Sequence, residues 1–237
     1  MKAVLFDLDD TLFDHRHSMR TGLAVLQKKY DCFSELTLDE FEQQHIRLMN
    51  EIHLSKILRG EITLEEGRAL RFKRAFTLFG INAPDEIAND AADFYRKTYS
   101  SVTRLKPGAE ALLKEIKKQY KTGIVTNNLI EEQTRKLKEC EIEHLVDVMV
   151  TSEEAGVVKP DPLIFNMALE RLDCSVSDVI MIGDSWEVDI MGAHKLGMRC
   201  IWVNTYNEYR ICDGVAVEIS SLEDTAKILN LINNHNG

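Results

Sequence analysis

The chain has 237 residues, enough for a sizeable buried core and a substantial insertion. Its 29 basic and 39 acidic residues leave a net charge of −10, with the acids dispersed along the chain, which argues against a nucleic-acid backbone or an anionic membrane as partner. The first apolar run stops at Asp7, no later run approaches membrane-spanning length, and the five cysteines include no Cys-x-x-Cys pair, so a cytoplasmic setting without a disulfide framework or zinc site is expected.

The first predicted element is an apolar strand, Lys2 to Phe6, that runs into Asp7-Leu8-Asp9-Asp10-Thr11. Extended geometry would send the Asp7 and Asp9 side chains to opposite faces, so a shared role needs the strand to end at Asp7 and the chain to turn at once. Clustered carboxylates are costly unless a cation sits among them. A divalent metal site is one reading, and a strand followed by an Asp-rich turn and helix cap is the other. From about His15 to Ser101 strand signals are nearly absent, and apolar residues recur at helical spacing, as in Leu38, Phe41, His45, Leu48, Met49 and Ile52. Thr37 with Glu40 and Thr63 with Glu66 read as capping boxes, Pro84 suits the first turn of a fourth helix, and Phe72, Phe76 and Phe79 read as bundle core. His15 and His17 read as exposed residues just after the acidic loop.

Lys106-Pro107-Gly108 restarts a regular alternation, with strands near 121–126, 146–150, 179–183, 199–203 and 215–219 and helices between them, among them 130–140 and 186–196. This pattern predicts an α/β fold, a doubly wound parallel-sheet Rossmann-like core, residues 1–14 and 105–237, with an inserted all-helical domain at 15–104. The strand at 121–126 ends in Thr126-Asn127-Asn128, a hydroxyl and two amides at a strand-to-helix junction, suited to an anion or to capping the next helix. Lys159 stands before Pro160-Asp161-Pro162, and the strand at 179–183 breaks at Gly183 into Asp184-Ser185, with Asp189 five residues beyond Asp184. Ligands of open α/β sheets collect at carboxyl ends of strands, which is where all four segments fall. The Asn-rich end, residues 233–237, reads as a frayed tail.

The acid pair, the Thr126-Asn127 strand end, Lys159-Pro160 and Gly183-Asp184-Ser185 with Asp189, in that order, resemble the haloacid dehalogenase superfamily in its helical-cap type. Ser152 to Asp161, Gly183 to Ala193, Gly197 and Trp202-Val203-Asn204 are similar to its pyrimidine 5′-nucleotidase and N-acylneuraminate phosphatase branch. The resemblance implies a magnesium-dependent phosphomonoester hydrolase. Asp7 would be the nucleophile that forms an aspartyl-phosphate and Asp9 the general acid and base, in surroundings that raise its pKa relative to Asp7. The Mg²⁺ ligands would be the carboxylates of Asp7 and Asp184 and the main-chain carbonyl of Asp9. Thr126, the Asn127 amide and Lys159 would hold the transferring phosphoryl group. Thr11 would orient the Asp7 loop through its hydroxyl, and Asp189 would either support Lys159 or stand behind the metal.

The expected substrate is a small phosphomonoester, with nucleoside monophosphates foremost, acted on by a monomer or homodimer. A sugar or sugar-acid phosphatase, a phosphoglucomutase and a 2-haloacid dehalogenase are the other readings, the last disfavoured by Asp9. Arg16, Arg20, Lys56, Arg59, Arg68 and Arg71 of the insertion are candidates to read the leaving group.

Overall fold

The computed structural model describes residues 1–57 and 60–233, so Arg59 and the tail beyond Asn233 lie outside the described residues. The chain forms two compact units, one of Met1–Asp14 with Arg104–Gly237 and one of His15–Thr103.

The first unit is built on six parallel strands: β1 (Ala3–Phe6), β2 (Lys121–Thr126), β3 (Val148–Thr151), β4 (Val179–Gly183), β5 (Arg199–Val203) and β6 (Val217–Ile219). Their order, β3-β2-β1-β4-β5-β6, reverses direction between β1 and β4. The carboxyl ends of those two strands therefore flank the crevice that such a reversal opens. β1 and β4 are buried throughout, as expected of strands covered on both faces. Alternation sorts their side chains between two layers. Ala3, Leu5, Val179, Met181, Cys200 and Trp202 share a core with Ile164, Phe165 and Leu169 of α8 (Pro162–Leu172) and Ala193 of α9 (Met191–Lys195). On the same unit α5 (Ala109–Lys117) buries Leu112, Leu113 and Ile116 and packs on β2. The helix α6 (Ile130–Glu139) follows β2, a single turn α7 (Ser152–Ala155) follows β3, and α10 (Thr225–Asn233) closes the unit. Asn233 is thus helical rather than part of a tail.

Three elements differ from the sequence expectation. β3 and β6 each begin two residues later than expected. The helix expected at 186–196 opens with a π-helical turn, Trp186–Ile190, because the Ser185 carbonyl accepts from both Asp189 N–H (3.0 Å) and Ile190 N–H (3.3 Å). Such turns are frequent at functional sites, and this one carries Asp189.

The second unit consists of α1 (His15–Lys29), α2 (Leu38–Ile52), α3 (Leu64–Leu78) and α4 (Asp85–Ser101). Both capping boxes form: the Thr37 and Thr63 N–H groups each donate to Glu40 and Glu66 at 2.8 Å, and the threonine hydroxyls accept in return. Pro84 takes an extended ψ of 153° and stands one residue before α4 rather than in its first turn. Phe33, Phe41, Phe72 and Phe76 are buried at the centre, and Phe79 is half-buried with its ring 5.6 Å from Phe33. His15 is half-buried, its Nδ1 2.8 Å from the Tyr99 hydroxyl, and His17 is half-buried too, so neither is the exposed residue that its place after the acidic loop suggested.

Candidate functional site

β1 ends at Phe6 and the chain turns immediately. Leu12 and Phe13 N–H both donate to the Leu8 carbonyl, and Asp10 takes a positive φ of 64°, a conformation that aspartate tolerates better than most residues. This turn brings Asp7 to the sheet edge between β2 and β4, with its N–H donating to Ile182 at 3.0 Å.

Asp7 is 6% exposed and its Oδ1 lies 2.5 Å from Lys159 Nζ. The same ammonium donates to Asp189 Oδ1 at 2.7 Å and to the Val125 carbonyl at 2.8 Å. Burial works against a charge on Lys159, but the Asp189 and Asp7 carboxylates outweigh it and raise its pKa, so the lysine stays an ammonium. Burial pushes the Asp7 carboxyl up to about 7 despite Lys159, with Asp189 and Asp9 adding to the rise. Asp184 is raised well above the usual carboxylate range, first by burial and then by Asp7 and Asp189. One ammonium thus faces three acids, and the pocket is short of positive charge.

Ligand oxygens of Asp7, Asp184 and Asp189 lie within 4.8 Å of one another. This all-carboxylate set suits a hard divalent cation such as Mg²⁺, and the raised Asp7 and Asp184 are the groups that such a cation would relieve. Asp189 is otherwise engaged, accepting from Lys159 and from Ser185 N–H at 3.0 Å. It supports Lys159 and stands beside the other two acids, so both roles considered for it share one position. Gly183 makes this possible, since a Cβ there would sit 2.6 Å from that of Asp189.

The Thr11 hydroxyl donates to Asp184 Oδ1 at 2.8 Å and accepts from Asp184 N–H at 3.0 Å, so it ties the loop after β1 to the Asp184 loop. Trp202 Nε1 holds the same loop through the Asp184 carbonyl at 2.8 Å.

Asp9 Oδ1 is 2.5 Å from Lys136 Nζ, and its Oδ2 accepts from Gln133 Nε2 at 3.0 Å. Each member of the acid pair therefore meets its own lysine, Asp7 that of the loop after β3 and Asp9 that of α6. Gln133 also donates to Thr126 Oγ1 at 2.5 Å, leaving the buried threonine hydroxyl its own proton to give. Asn127 uses its side chain on the Lys159 backbone, accepting from Lys159 N–H at 2.7 Å and donating to its carbonyl at 3.1 Å. Its side-chain amide thus holds the lysine loop.

Gln133 and Lys136 escaped the sequence reading, which noted Trp202 only within the string that carries the resemblance. In α6 the buried residues are Glu132, Gln133, Lys136 and Leu137, so polar side chains occupy inward positions at i and i+3. That spacing was the available signal, masked by the many charges of Glu131 to Glu139.

The haloacid dehalogenase-like hydrolase profile matches residues 4–203. The glyceraldehyde 3-phosphate phosphatase of Methanothermobacter thermautotrophicus is 33% identical over 211 residues, covering 86% of both chains. The pyrimidine 5′-nucleotidase YjjG of Escherichia coli is 29% identical over 232 residues, covering 95% of this chain and 96% of its own. Among solved structures, the magnesium-bound HAD-hydrolase YfnB of Bacillus subtilis superposes with a TM-score of 0.76 at 25% identity, covering 97% of this chain and 98% of that one. The chain belongs to the haloacid dehalogenase-like hydrolase family and is a hydrolase with relatives named as phosphatases. No described helix is long and apolar enough to cross a membrane.

Proposed function

We propose that this chain is a magnesium-dependent phosphomonoester hydrolase that works through an aspartyl-phosphate on Asp7. The observation that carries the reading is the buried Asp7 carboxylate held 2.5 Å from Lys159 beside Asp184 and Asp189. A phosphomonoester dianion repels an attacking anion, so transfer needs charge neutralisation, an in-line nucleophile and a proton for the leaving oxygen. An Asp7 oxygen attacks phosphorus and the bond to the leaving alkoxide breaks. Asp9 gives that alkoxide a proton, then takes one from the water that hydrolyses the acyl phosphate and frees Asp7. Lys136 and Gln133 hold the Asp9 carboxyl in place for both steps. The Lys159 ammonium and the Thr126 hydroxyl hold the phosphoryl oxygens, with the Asn127 main-chain N–H assigned to the same task. Bound magnesium, held by Asp7, Asp184 and the Asp9 main-chain oxygen, would supply the positive charge that the three carboxylates and the phosphoryl group require.

Nucleoside monophosphates draw support from the nucleotidase relative and sugar phosphates from the glyceraldehyde 3-phosphate phosphatase. The core groups touch the phosphoryl that all these esters share, so they transfer the reaction and leave the alcohol open. Asp9 separates the reading from dehalogenation, which has no leaving alkoxide to protonate.

Phosphate release from an aryl phosphate is expected to stop with a chelator and return with Mg²⁺. Asp7→Asn is expected to lose about a thousandfold or more in kcat while keeping its circular dichroism. An Asp7→Asn enzyme with the parent's rate would sink the assignment, as would halide release from chloroacetate without metal. A kcat/KM panel of pyrimidine and purine nucleotides, sugar phosphates and N-acylneuraminate 9-phosphate then ranks the alcohols.

A further inference from the structure

The helical unit buries a cation to which no described residue supplies an acid. Arg71 of α3 is 8% exposed, its Nε is buried without a partner, and among the described residues it makes no hydrogen bond or ion pair. Its guanidinium lies over the rings of Phe72 and Tyr95 at 5.3 and 5.4 Å. His45 of α2 packs against the same two rings, with centroids 5.6 and 5.0 Å away, and is 2% exposed. Its Nε2 is likewise buried without a partner. Two orphaned polar groups from different helices thus pack against one pair of aromatic rings.

The charge around them makes the deficit specific. Burial lowers the Arg71 pKa, and Arg68 and Arg96 act in the same direction, so neighbouring guanidiniums add positive field rather than relieve it. Burial, then Arg71 and His15, holds His45 well below its ordinary value, so its ring is neutral and able to donate from Nε2. Glu42, the buried acid of this unit, is already taken: Arg16 Nε donates to it at 2.5 Å, and Arg20 bonds it as well. Ring faces compensate a buried guanidinium only in part, and an unsatisfied charged donor is among the costliest groups to keep dry. A fork of N–H donors matches a carboxylate or phosphate edge.

We propose that Arg71 and His45, framed by Phe72 and Tyr95, form an oxyanion-binding site that takes a carboxylate or a phosphate. The site lies within the helical unit, and its occupant is a free oxyanion.

The test titrates sulfate into the isotope-labelled full chain, with chloride at equal ionic strength as control, following the Arg71 Nε–H and His45 ring-nitrogen resonances by NMR. Saturable shifts at both residues are expected with sulfate alone. Arg71→Gln is expected to abolish the His45 response, and Arg71→Lys, which keeps the charge, to retain a weakened one even if the Gln variant fails to fold. Absence of saturable shifts, or a His45 response that survives in folded Arg71→Gln, would overturn the site.

Discussion

A methyl group at position 183 has nowhere to go. A Cβ there would lie 2.6 Å from both Cβ and Oδ2 of Asp189, and this carboxylate is what steadies Lys159 against Asp7. Gly183→Ala should therefore displace Asp189 and loosen the ammonium, lowering kcat for an aryl phosphate about tenfold or more. Overpacking of this kind costs about 1–3 kcal/mol of stability, which thermal unfolding would register. A variant with the parent's kcat would show that Lys159 does not depend on Asp189. At this scale the sequence was informative where a strand broke directly into chemistry. Asp7, Asp184 and Thr126 each follow an apolar run, and the break itself marks the carboxyl end of a strand. Lys136 and Gln133 left no such mark, because a lysine in a charged helix looks solvated until the helix is docked. Asn127 was placed correctly in the chain, yet its side chain turned to the Lys159 loop, a choice set by a segment 32 residues away.

Among elements, α2 couples packing to pH through His45. Its folded pKa lies well below 6.5 because burial, Arg71 and His15 all disfavour the imidazolium, whereas the unfolded chain titrates near about 6.5. Above that value both states are neutral and the residue is without effect. As pH falls below it the unfolded state takes up a proton that the folded state refuses, so stability drops by at most about 1.4 kcal/mol per pH unit. His45→Gln removes this titration. The melting temperature of the parent relative to the variant is expected to fall between about pH 6.5 and pH 5 and to stay level above pH 7. A difference that does not change with pH would mean that His45 is protonated in the folded unit. Elements whose signals are local were legible: the two capping boxes need only a threonine and a glutamate three residues apart, and both formed. The π-helical turn at Trp186–Ile190 was not, because what widens it is the use of the Asp189 side chain by Lys159 and Ser185. The start of β3 was not either, since Asp147 turns its side chain to the Thr122 N–H, 2.8 Å away, and so stands beside the ladder rather than in it.

For the whole molecule, the parallel direction of the strands follows from the alternation of β and α elements, but the order, whose reversal between β1 and β4 sets Asp7 beside Asp184, is a property of the sheet. The chain leaves the sheet-bearing unit after Asp14 and returns at Arg104. These two crossings are fastened to each other: Asp14 N–H donates to the Arg104 carbonyl at 3.0 Å, Lys106 N–H to the Leu12 carbonyl at 2.8 Å, and Arg104 Nε to Asp14 Oδ2 at 2.8 Å. The ends of the intervening segment are thus already neighbours, and a short Gly-Ser bridge in place of residues 15–103 has almost no distance to span. Such a shortened chain is expected to unfold cooperatively, with the weaker helical circular dichroism of the sheet-bearing unit alone, because closing a loop costs only about 0.6 kcal/mol more for each doubling of its length. A collapsed, non-cooperative product would show that the sheet needs the helices to fold. With the exit and the return clasped together, the length and the helices of the insertion are free to change while every strand keeps its register.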